Sequence, residues 1–220
     1  MVLRSLWRVE RRVSMANNIT RWTKEDFPNT LLAIDPGASW PNAKRKHPYA
    51  GAALFQWGML VWVSLVHCPT SDIKRYGKEK TVPPYAMPNL LVRKVCKEAS
   101  IARNDTSPGE GLTTLVVEKP IIYVKGKARP QDIIDLRGIW GAFMGGIDAE
   151  AYYGPTPEEW KGSIDGEILN ERVVRVLNAP ERMMLVDAQR RGQGGLTSHV
   201  VDAVGLGLFT MGRMGKAGVI

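Results

Sequence analysis

The chain has 220 residues, a hydrophobic content of 44% and 30 Lys and Arg against 22 Asp and Glu, which gives a formal net charge of +8. This length suits one domain with appendages, and the excess of basic residues favours a polyanionic partner. Cys68 and Cys96 lie far apart, which argues against a disulfide framework or a zinc site and for a reducing compartment. No apolar run is long enough to span a membrane, so no membrane association is expected.

The first 26 residues are rich in arginine: Arg4, Arg8, Arg11, Arg12 and Arg21. Such a start is typical of a basic arm for nucleic acid, of an organelle transit peptide or of a dispensable extension. We favour a poorly ordered extension over residues 1–26, followed by one folded domain over residues 27–220.

The first predicted strand carries the sequence Leu-Leu-Ala-Ile-Asp-Pro-Gly at residues 31–37. Four apolar residues in a row predict a strand buried on both faces, and Pro-Gly predicts a turn directly after it. Asp35 therefore stands at the end of a rigid strand, which is a good position for holding a metal ion or a phosphate. The alternative is that Asp35 only opens the turn.

The next elements predict an antiparallel start to a sheet. Residues 49–56 and 59–67 are strand-like and flank Trp57-Gly58, which is the pattern of a hairpin. A helix follows over residues 87–100, and a second buried strand over residues 112–118 again ends on an acid, Glu118. The alternation of strands and helices from there on indicates an α/β layered fold.

The second half of the chain continues this alternation. In order, we predict a basic loop over 121–130, a helix over 131–145, a strand over 147–153 and a short helix with Thr156 as its N-cap and Pro157 in its first turn. Helices over 167–177 and 180–188, a basic Gly-rich loop over 190–195 and a final helix over 199–211, capped by Thr197-Ser198, follow. His199 and Asp202 share one face of the first turn of that last helix.

Three elements thus end or begin on candidate ligands: Asp35, Glu118 and the pair His199 and Asp202. The two buried strands, over residues 31–37 and 112–118, would lie side by side and place Asp35 and Glu118 at the same edge of the sheet. Like charges cluster unfavourably unless a cation lies between them, and carboxylates suit Mg²⁺ or Mn²⁺. Two such ions, roughly 3.5–4 Å apart, can activate a water and stabilise the leaving oxygen of a phosphodiester.

These motifs, in this order, resemble RuvC-type Holliday junction resolvases, nucleases of the RNase H-like or retroviral-integrase superfamily. The resemblance covers residues 31–209 and consists of strand-Asp-Pro-Gly, strand-Val-Val-Glu-Lys-Pro and a last helix opened by His-x-x-Asp-Ala. Trp160-Lys161-Gly162 is similar to the family segment in which a lysine approaches the scissile phosphate, and Lys161 is the matching residue.

The resemblance implies a five-stranded mixed sheet with an antiparallel three-stranded start and helices on both faces. It implies a catalytic site of Asp35, Glu118, His199, Asp202 and Lys161, of which the first four would bind two Mg²⁺ or Mn²⁺ ions. The expected DNA contacts are Tyr123, Lys125, Lys127, Arg129, Arg190 and Arg191.

The function expected on this basis is a metal-dependent endodeoxyribonuclease that resolves four-way junctions as a two-fold dimer. We expect the dimer to form through the helix over 131–145. Gly138, Gly141 and Ala142 keep one of its faces small, which suits close packing on the sheet and leaves Ile139, Trp140 and Phe143 for other contacts. The expected location is the cytoplasm of a bacterium or a phage-infected cell, or an organelle if residues 1–26 are a transit peptide. Two alternatives are a junction-binding protein that has lost its catalysis and a kinase-like ATPase, although the chain is short for the latter.

Overall fold

The computed structural model describes residues 29–37, 49–67, 86–103, 112–120, 130–191 and 197–215. The expected N-terminal extension and four of the expected DNA contacts, at Tyr123, Lys125, Lys127 and Arg129, lie outside these ranges. They therefore stay predictions.

Five strands form one sheet: β1 Thr30–Pro36, β2 Tyr49–Gln56, β3 Met59–His67, β4 Thr114–Val117 and β5 Ala151–Tyr153. Their order across the sheet is β3-β2-β1-β4-β5. The pairs β1–β2 and β2–β3 are antiparallel, whereas β1–β4 and β4–β5 are parallel. This confirms the predicted five-stranded mixed sheet with its antiparallel three-stranded start, and β1 lies at its centre.

Six helices complete the described part of the chain: α1 Ala86–Arg103, α2 Pro130–Gly146, α3 Pro157–Trp160, α4 Gly166–Val176, α5 Ala179–Arg191 and α6 Thr197–Thr210. Among these described residues, none of the helices is long and apolar enough to cross a membrane.

The core lies on both faces of the sheet because alternate residues of β1 point to opposite sides. Leu31 and Ala33 pack with the side of the molecule formed by α4, α5 and α6. Leu32 and Ile34 pack with α1 and α2 on the other side. All seven residues of β1 are buried, so the position of Asp35 near the strand's end is fixed by core on both faces.

The structure corrects three of the predicted boundaries. The strand predicted over 147–153 is wrong in its first half, because Tyr152 holds residues 147–150 in a turn: its hydroxyl accepts from Ala149 N (2.8 Å) and donates to Ile147 O (3.1 Å). Arg190 and Arg191 end helix α5 rather than opening a loop. Helix α6 already begins at Thr197, so the expected cap residues lie within its first turn.

Helix α2 packs on the sheet with a different face from the one expected. Ile139 and Phe143 are buried in the chain's own core, so they are not available for contacts with another subunit. A Cβ atom at Gly138 or Gly141 would meet nothing within 4 Å. Gly138 and Gly141 therefore lie on the open side of the helix, and the expectation that they pack on the sheet is wrong, whereas Ala142 is half-buried against the core.

Candidate active site

The two strand-end acids are neighbours because β1 and β4 run parallel and side by side. Ile34 pairs with Val117, and the residues that follow them are Asp35 and Glu118. The backbone N–H of Glu118 donates to Ile34 O at 2.9 Å, which continues the strand pairing to the acid itself. The side chains are 6% and 12% exposed respectively, so both carboxylates are largely removed from water.

The first turn of α6 brings His199 to Asp35. The distance between His199 Nδ1 and Asp35 Oδ2 is 2.6 Å. The ring of Tyr49, a buried residue on β2, lies against the imidazole with a centroid distance of 5.0 Å and an interplanar angle of 56°. The imidazole is thus held by a carboxylate and by an aromatic ring, which fixes its orientation.

A glycine on the neighbouring strand permits this approach of α6. Gly51 pairs with Asp35 across β1 and β2, and a Cβ atom at this position would collide with the backbone carbonyl of His199. Only a residue without a side chain lets the helix backbone lie directly on the strand. The motif-based prediction missed Gly51, although a glycine inside an apolar strand is itself a signal of close backbone approach.

Lys161 lies between the other two acids. Its ammonium nitrogen is 2.7 Å from Asp202 Oδ2 and 3.4 Å from Glu118 Oε2. The lysine directly follows α3, whose start is fixed by a capping box: Thr156 Oγ1 accepts from Glu159 N, and Glu159 Oε2 accepts from Thr156 N. The structure therefore places Lys161 beside two of the candidate ligands, and its expected role at the scissile phosphate stays a prediction.

Trp160 also reaches this cluster, and the sequence did not indicate it. Its indole ring is fully buried, and its Nε1 donates to Glu118 Oε2 at 2.8 Å. Lys161 Nζ lies 5.0 Å from the ring centroid. Trp160 is therefore both part of the core and a hydrogen-bond donor to a candidate ligand.

In the part of the chain that the structure describes, the site holds three carboxyl groups and two basic groups, and the pKa values of two of the carboxyl groups, Glu118 and Asp202, are raised. Burial, followed by repulsion from Asp35, raises the pKa of Glu118 to about 8, although Lys161 and the indole N–H pull in the opposite direction. Burial and Asp35 likewise raise the pKa of Asp202, against the effect of Lys161. Asp35, Glu118 and Asp202 thus form a site with more carboxylate than its cations balance.

The pKa values of the two basic groups, Lys161 and His199, also rise, but for them a higher pKa favours the charged form. Burial alone would lower the pKa of Lys161, but Glu118 and Asp202 outweigh it and raise the value to about 12. Burial also opposes the charge of His199, and its bond to Asp35 outweighs this and raises its pKa. The site therefore favours the cationic form of each group more than water does.

The donor set fits a divalent cation in its chemistry, since carboxylate oxygens are the ligands that Mg²⁺ and Mn²⁺ prefer. Within the described ranges, however, no three or more His, Cys, Asp or Glu side chains are grouped closely enough to hold a metal ion as they stand. Lys161 lies between Glu118 and Asp202, and His199 lies on Asp35. The ammonium thus provides the countercharge that a metal ion would otherwise provide.

The other expected DNA contacts within the described part of the chain are Arg190 and Arg191. Both are exposed near the end of α5, where they interact with Asp187: Arg190 Nη1 lies 3.9 Å from its carboxylate, and Arg191 Nε donates to its carbonyl at 3.2 Å. These contacts leave both guanidinium groups at the surface.

Comparison with known proteins finds no matching family model and no matching curated protein sequence. Solved structures that match include Thermus thermophilus RuvC in complex with a Holliday junction substrate, with 14% identity over 81% of this chain and 90% of that chain and a TM-score of 0.37. A second Thermus thermophilus RuvC structure matches with 14% identity, 81% and 91% coverage and a TM-score of 0.35. Likeness at this level concerns the course of the chain alone and carries no statement about its chemistry.

Proposed function

We propose that this protein is a metal-dependent endodeoxyribonuclease that resolves four-way DNA junctions by paired nicks within a homodimer. The observation that carries the proposal is the convergence of Asp35, Glu118 and Asp202 at one edge of the sheet, where burial and mutual repulsion raise the pKa values of Glu118 and Asp202 although Lys161 lies on both. Burying such a cluster is costly unless a cation joins it. The basic composition of the chain supports a polyanionic substrate.

Asp35, Glu118 and Asp202, together with His199, would hold the divalent cation. When bound, such ions activate a water molecule and stabilise the leaving oxygen of a phosphodiester. The chain's own contribution is positional: the strand ends fix the first two carboxylates, and the first turn of α6 would supply His199 and Asp202.

Lys161 has a separate role in this proposal. Its ammonium group lies on Asp202 and near Glu118, and it keeps its positive charge because of those carboxylates. Once a divalent cation occupies the carboxylates, the ammonium is available to a phosphate oxygen of the strand being cut. A lysine at this position therefore neutralises the acids before loading and binds the phosphate afterwards.

Junction selectivity rests on the dimer, since two matched nicks require two active sites related by symmetry. The open side of α2, with Gly138 and Gly141, is the surface we assign to the partner subunit. Phosphates of the junction would be bound by Lys125, Lys127 and Arg129, by Tyr123 through stacking, and by Arg190 and Arg191.

One observation favours a second candidate, a junction-binding protein without catalysis. Lys161 already compensates Glu118 and Asp202, as it would in a site that no longer binds metal. The two candidates differ in one measurement, which is Mg²⁺-dependent cleavage of a junction that both would bind.

The deciding experiment uses a plasmid that extrudes a cruciform. Two nicks within one binding event give linear product, whereas uncoupled nicks give open circles. We expect linear product from the wild type in Mg²⁺ and none in EDTA, and we expect Asp35→Asn to bind junctions in Ca²⁺ yet not cut them in Mg²⁺. Near-normal cutting by Asp35→Asn would refute the metal site, open circles alone would refute paired resolution, and binding without cleavage by the wild type would favour the second candidate.

A further inference from the structure

Trp160 connects three elements of the site. Its ring is fully buried between α6 and the end of β4, and a Cβ atom at Gly205 of α6 would come within 2.9 Å of the ring. The segment before α3 is tied to the segment after β4 as well, because Lys119 N donates to Pro155 O at 2.9 Å. The indole therefore has little freedom to move relative to either Glu118 or α6.

The indole N–H and the ammonium of Lys161 approach the same oxygen of Glu118. Trp160 Nε1 lies 2.8 Å from Oε2, and Lys161 Nζ lies 3.4 Å from it. Both of these interactions, as far as the described residues show them, fall on Oε2 rather than Oε1. A carboxylate held through one oxygen presents the other in a fixed direction.

The two donors to Glu118, Lys161 and Trp160, differ in whether a bound divalent cation would displace them. The ammonium of Lys161 carries a charge and competes with a metal ion for the same carboxylates. The indole N–H is neutral, is locked by packing and donates to a carboxylate whether or not a metal ion is bound. Trp160 is thus the donor that can keep Glu118 oriented in both states.

We propose that Trp160 is a positioning residue for Glu118. The buried indole N–H of Trp160 holds Oε2 of Glu118 and so directs Oε1 of that carboxylate toward the divalent cation. This inference rests on the proposed function, because it assumes that Glu118 is a metal ligand. Loss of such an outer hydrogen bond commonly weakens metal affinity by about 10–100-fold.

The chain supplies a matched control in Trp140. Its Nε1 is buried and, within the described part of the chain, has no hydrogen-bond partner. Trp160→Phe and Trp140→Phe make the same chemical change, but only the first removes a bond to Glu118. A general effect of replacing a packed tryptophan would appear in both variants.

The test measures Mn²⁺ binding directly, by electron paramagnetic resonance of the free ion, alongside cleavage. We expect Trp160→Phe to weaken Mn²⁺ binding about 10–100-fold with junction affinity unchanged, and Trp140→Phe to leave Mn²⁺ affinity at the wild-type value. In a Glu118→Gln background, Trp160→Phe should add no further loss, because the indole acts only through Glu118. Equal Mn²⁺ affinity in Trp160→Phe and wild type would overturn the inference.

The outcomes separate the inference from the proposed function. If the wild type binds Mn²⁺ but cuts no junction, and Trp160→Phe weakens binding, the proposed function is wrong and the positioning role stands. If the wild type cuts junctions and Trp160→Phe binds Mn²⁺ normally, the proposed function stands and the positioning role of Trp160 is wrong. No Mn²⁺ binding by the wild type overturns both.

Should Trp160→Phe fail to fold, the wild type itself provides the measurement. The indole ¹⁵N–H resonance of Trp160, assigned by elimination with single variants at the other tryptophans, should shift on Mg²⁺ addition and in Glu118→Gln. A resonance that responds to neither change would overturn the inference.

Discussion

His199 and Asp35 are separated by 164 positions in sequence, yet Nδ1 of the imidazole lies 2.6 Å from Oδ2 of the carboxylate. The contact joins the start of the last helix to the end of the first strand, so most of the domain must fold before it can form. The carboxylate favours the protonated ring, and this outweighs the burial that opposes it.

We therefore predict that His199 titrates above its ordinary value of 6.5 in the metal-free protein. Its contribution to stability should be fully present below pH 6.5 and lost as the pH rises through the folded-state pKa. Asp35→Asn should lower the pKa of His199, because it removes the partner that raised it. The measurement is an NMR titration of the imidazole, with Asp187→Asn as a control for loss of one distant negative charge; a pKa of His199 that Asp35→Asn leaves unchanged would contradict the prediction.

Glu118 leads to a second pH effect. Its pKa rises from 4.5 to about 8, so between these values the folded protein holds a proton that the unfolded chain releases. The free energy of unfolding in EDTA should therefore decrease as the pH rises from 4.5 to 8, and Mg²⁺ should restore it at pH 8. Urea denaturation across this range measures it.

Glu118→Gln should reduce that pH dependence, whereas Glu158→Gln, at an exposed position of α3, should retain it. His199 contributes a loss of the same sign at higher pH, so the comparison between variants isolates the part due to Glu118. An equally steep pH dependence in Glu118→Gln would show that its proton is not the one involved.

Gly51 permits the close approach of α6 to β2, and we expect Gly51→Ala to disrupt it. The added methyl group would meet the backbone of His199, which cannot move aside as a flexible side chain would. Overpacking of this kind costs about 1–3 kcal/mol, and cleavage should decrease as well because His199 moves.

Gly166→Ala is the matched control for this change. A Cβ atom there meets nothing within 4 Å, and the position is the first residue of α4, away from the face of α2 assigned to the partner subunit. Alanine is a better helix former than glycine, so this variant should be slightly stabilised. If the denaturation midpoints of the two variants move in the same direction, the difference in free space around the two glycines would be contradicted.

Glu181 and Arg213 form an ion pair beside the turn between β2 and β3. Glu181 is 1% exposed, and its two oxygens accept from Arg213 Nη1 and Nη2 at 2.7 and 2.8 Å. The carboxylate also accepts from the backbone N–H groups of Leu60 (2.8 Å) and Asn178 (2.9 Å). The pair thus connects the β2–β3 hairpin to α5 and to the end of the chain that follows α6.

Arg213→Met should destabilise the protein by about 3–5 kcal/mol, because it leaves the Glu181 carboxylate buried without its partner. Burial by itself raises the pKa of Glu181, and the bonds from Arg213 and the backbone outweigh this and lower it. The stabilisation it provides should therefore be present above pH 4.5 and lost as the pH falls through the folded-state pKa.

Arg190→Met is the control for this variant, since the pair between Arg190 and Asp187 has side chains 78% and 63% exposed. Exposed pairs of this kind contribute about 0–1 kcal/mol. Urea denaturation that finds equal losses in the two variants would contradict the structural role of Glu181.

The sequence alone determined the features that local chemistry controls. Alternating apolar patterns and the Trp57-Gly58 turn predicted β2 and β3 with the bounds that the structure has. The strand-end acids and the spacing of His199 and Asp202 predicted which side chains would meet. These signals are local, because strand burial, turns and helical faces depend on residues a few positions apart.

The tertiary structure alone decided how those side chains contact each other. Lys161 lies between two acids, Gly51 admits the helix and Trp160 donates to Glu118 because distant segments pack together. Packing also gave α2 a buried face with Ile139 and Phe143 and an open face with its glycines, the reverse of what composition favoured. Residue type and spacing do not encode such contacts, because each depends on the shape of surfaces formed by segments far apart in the chain.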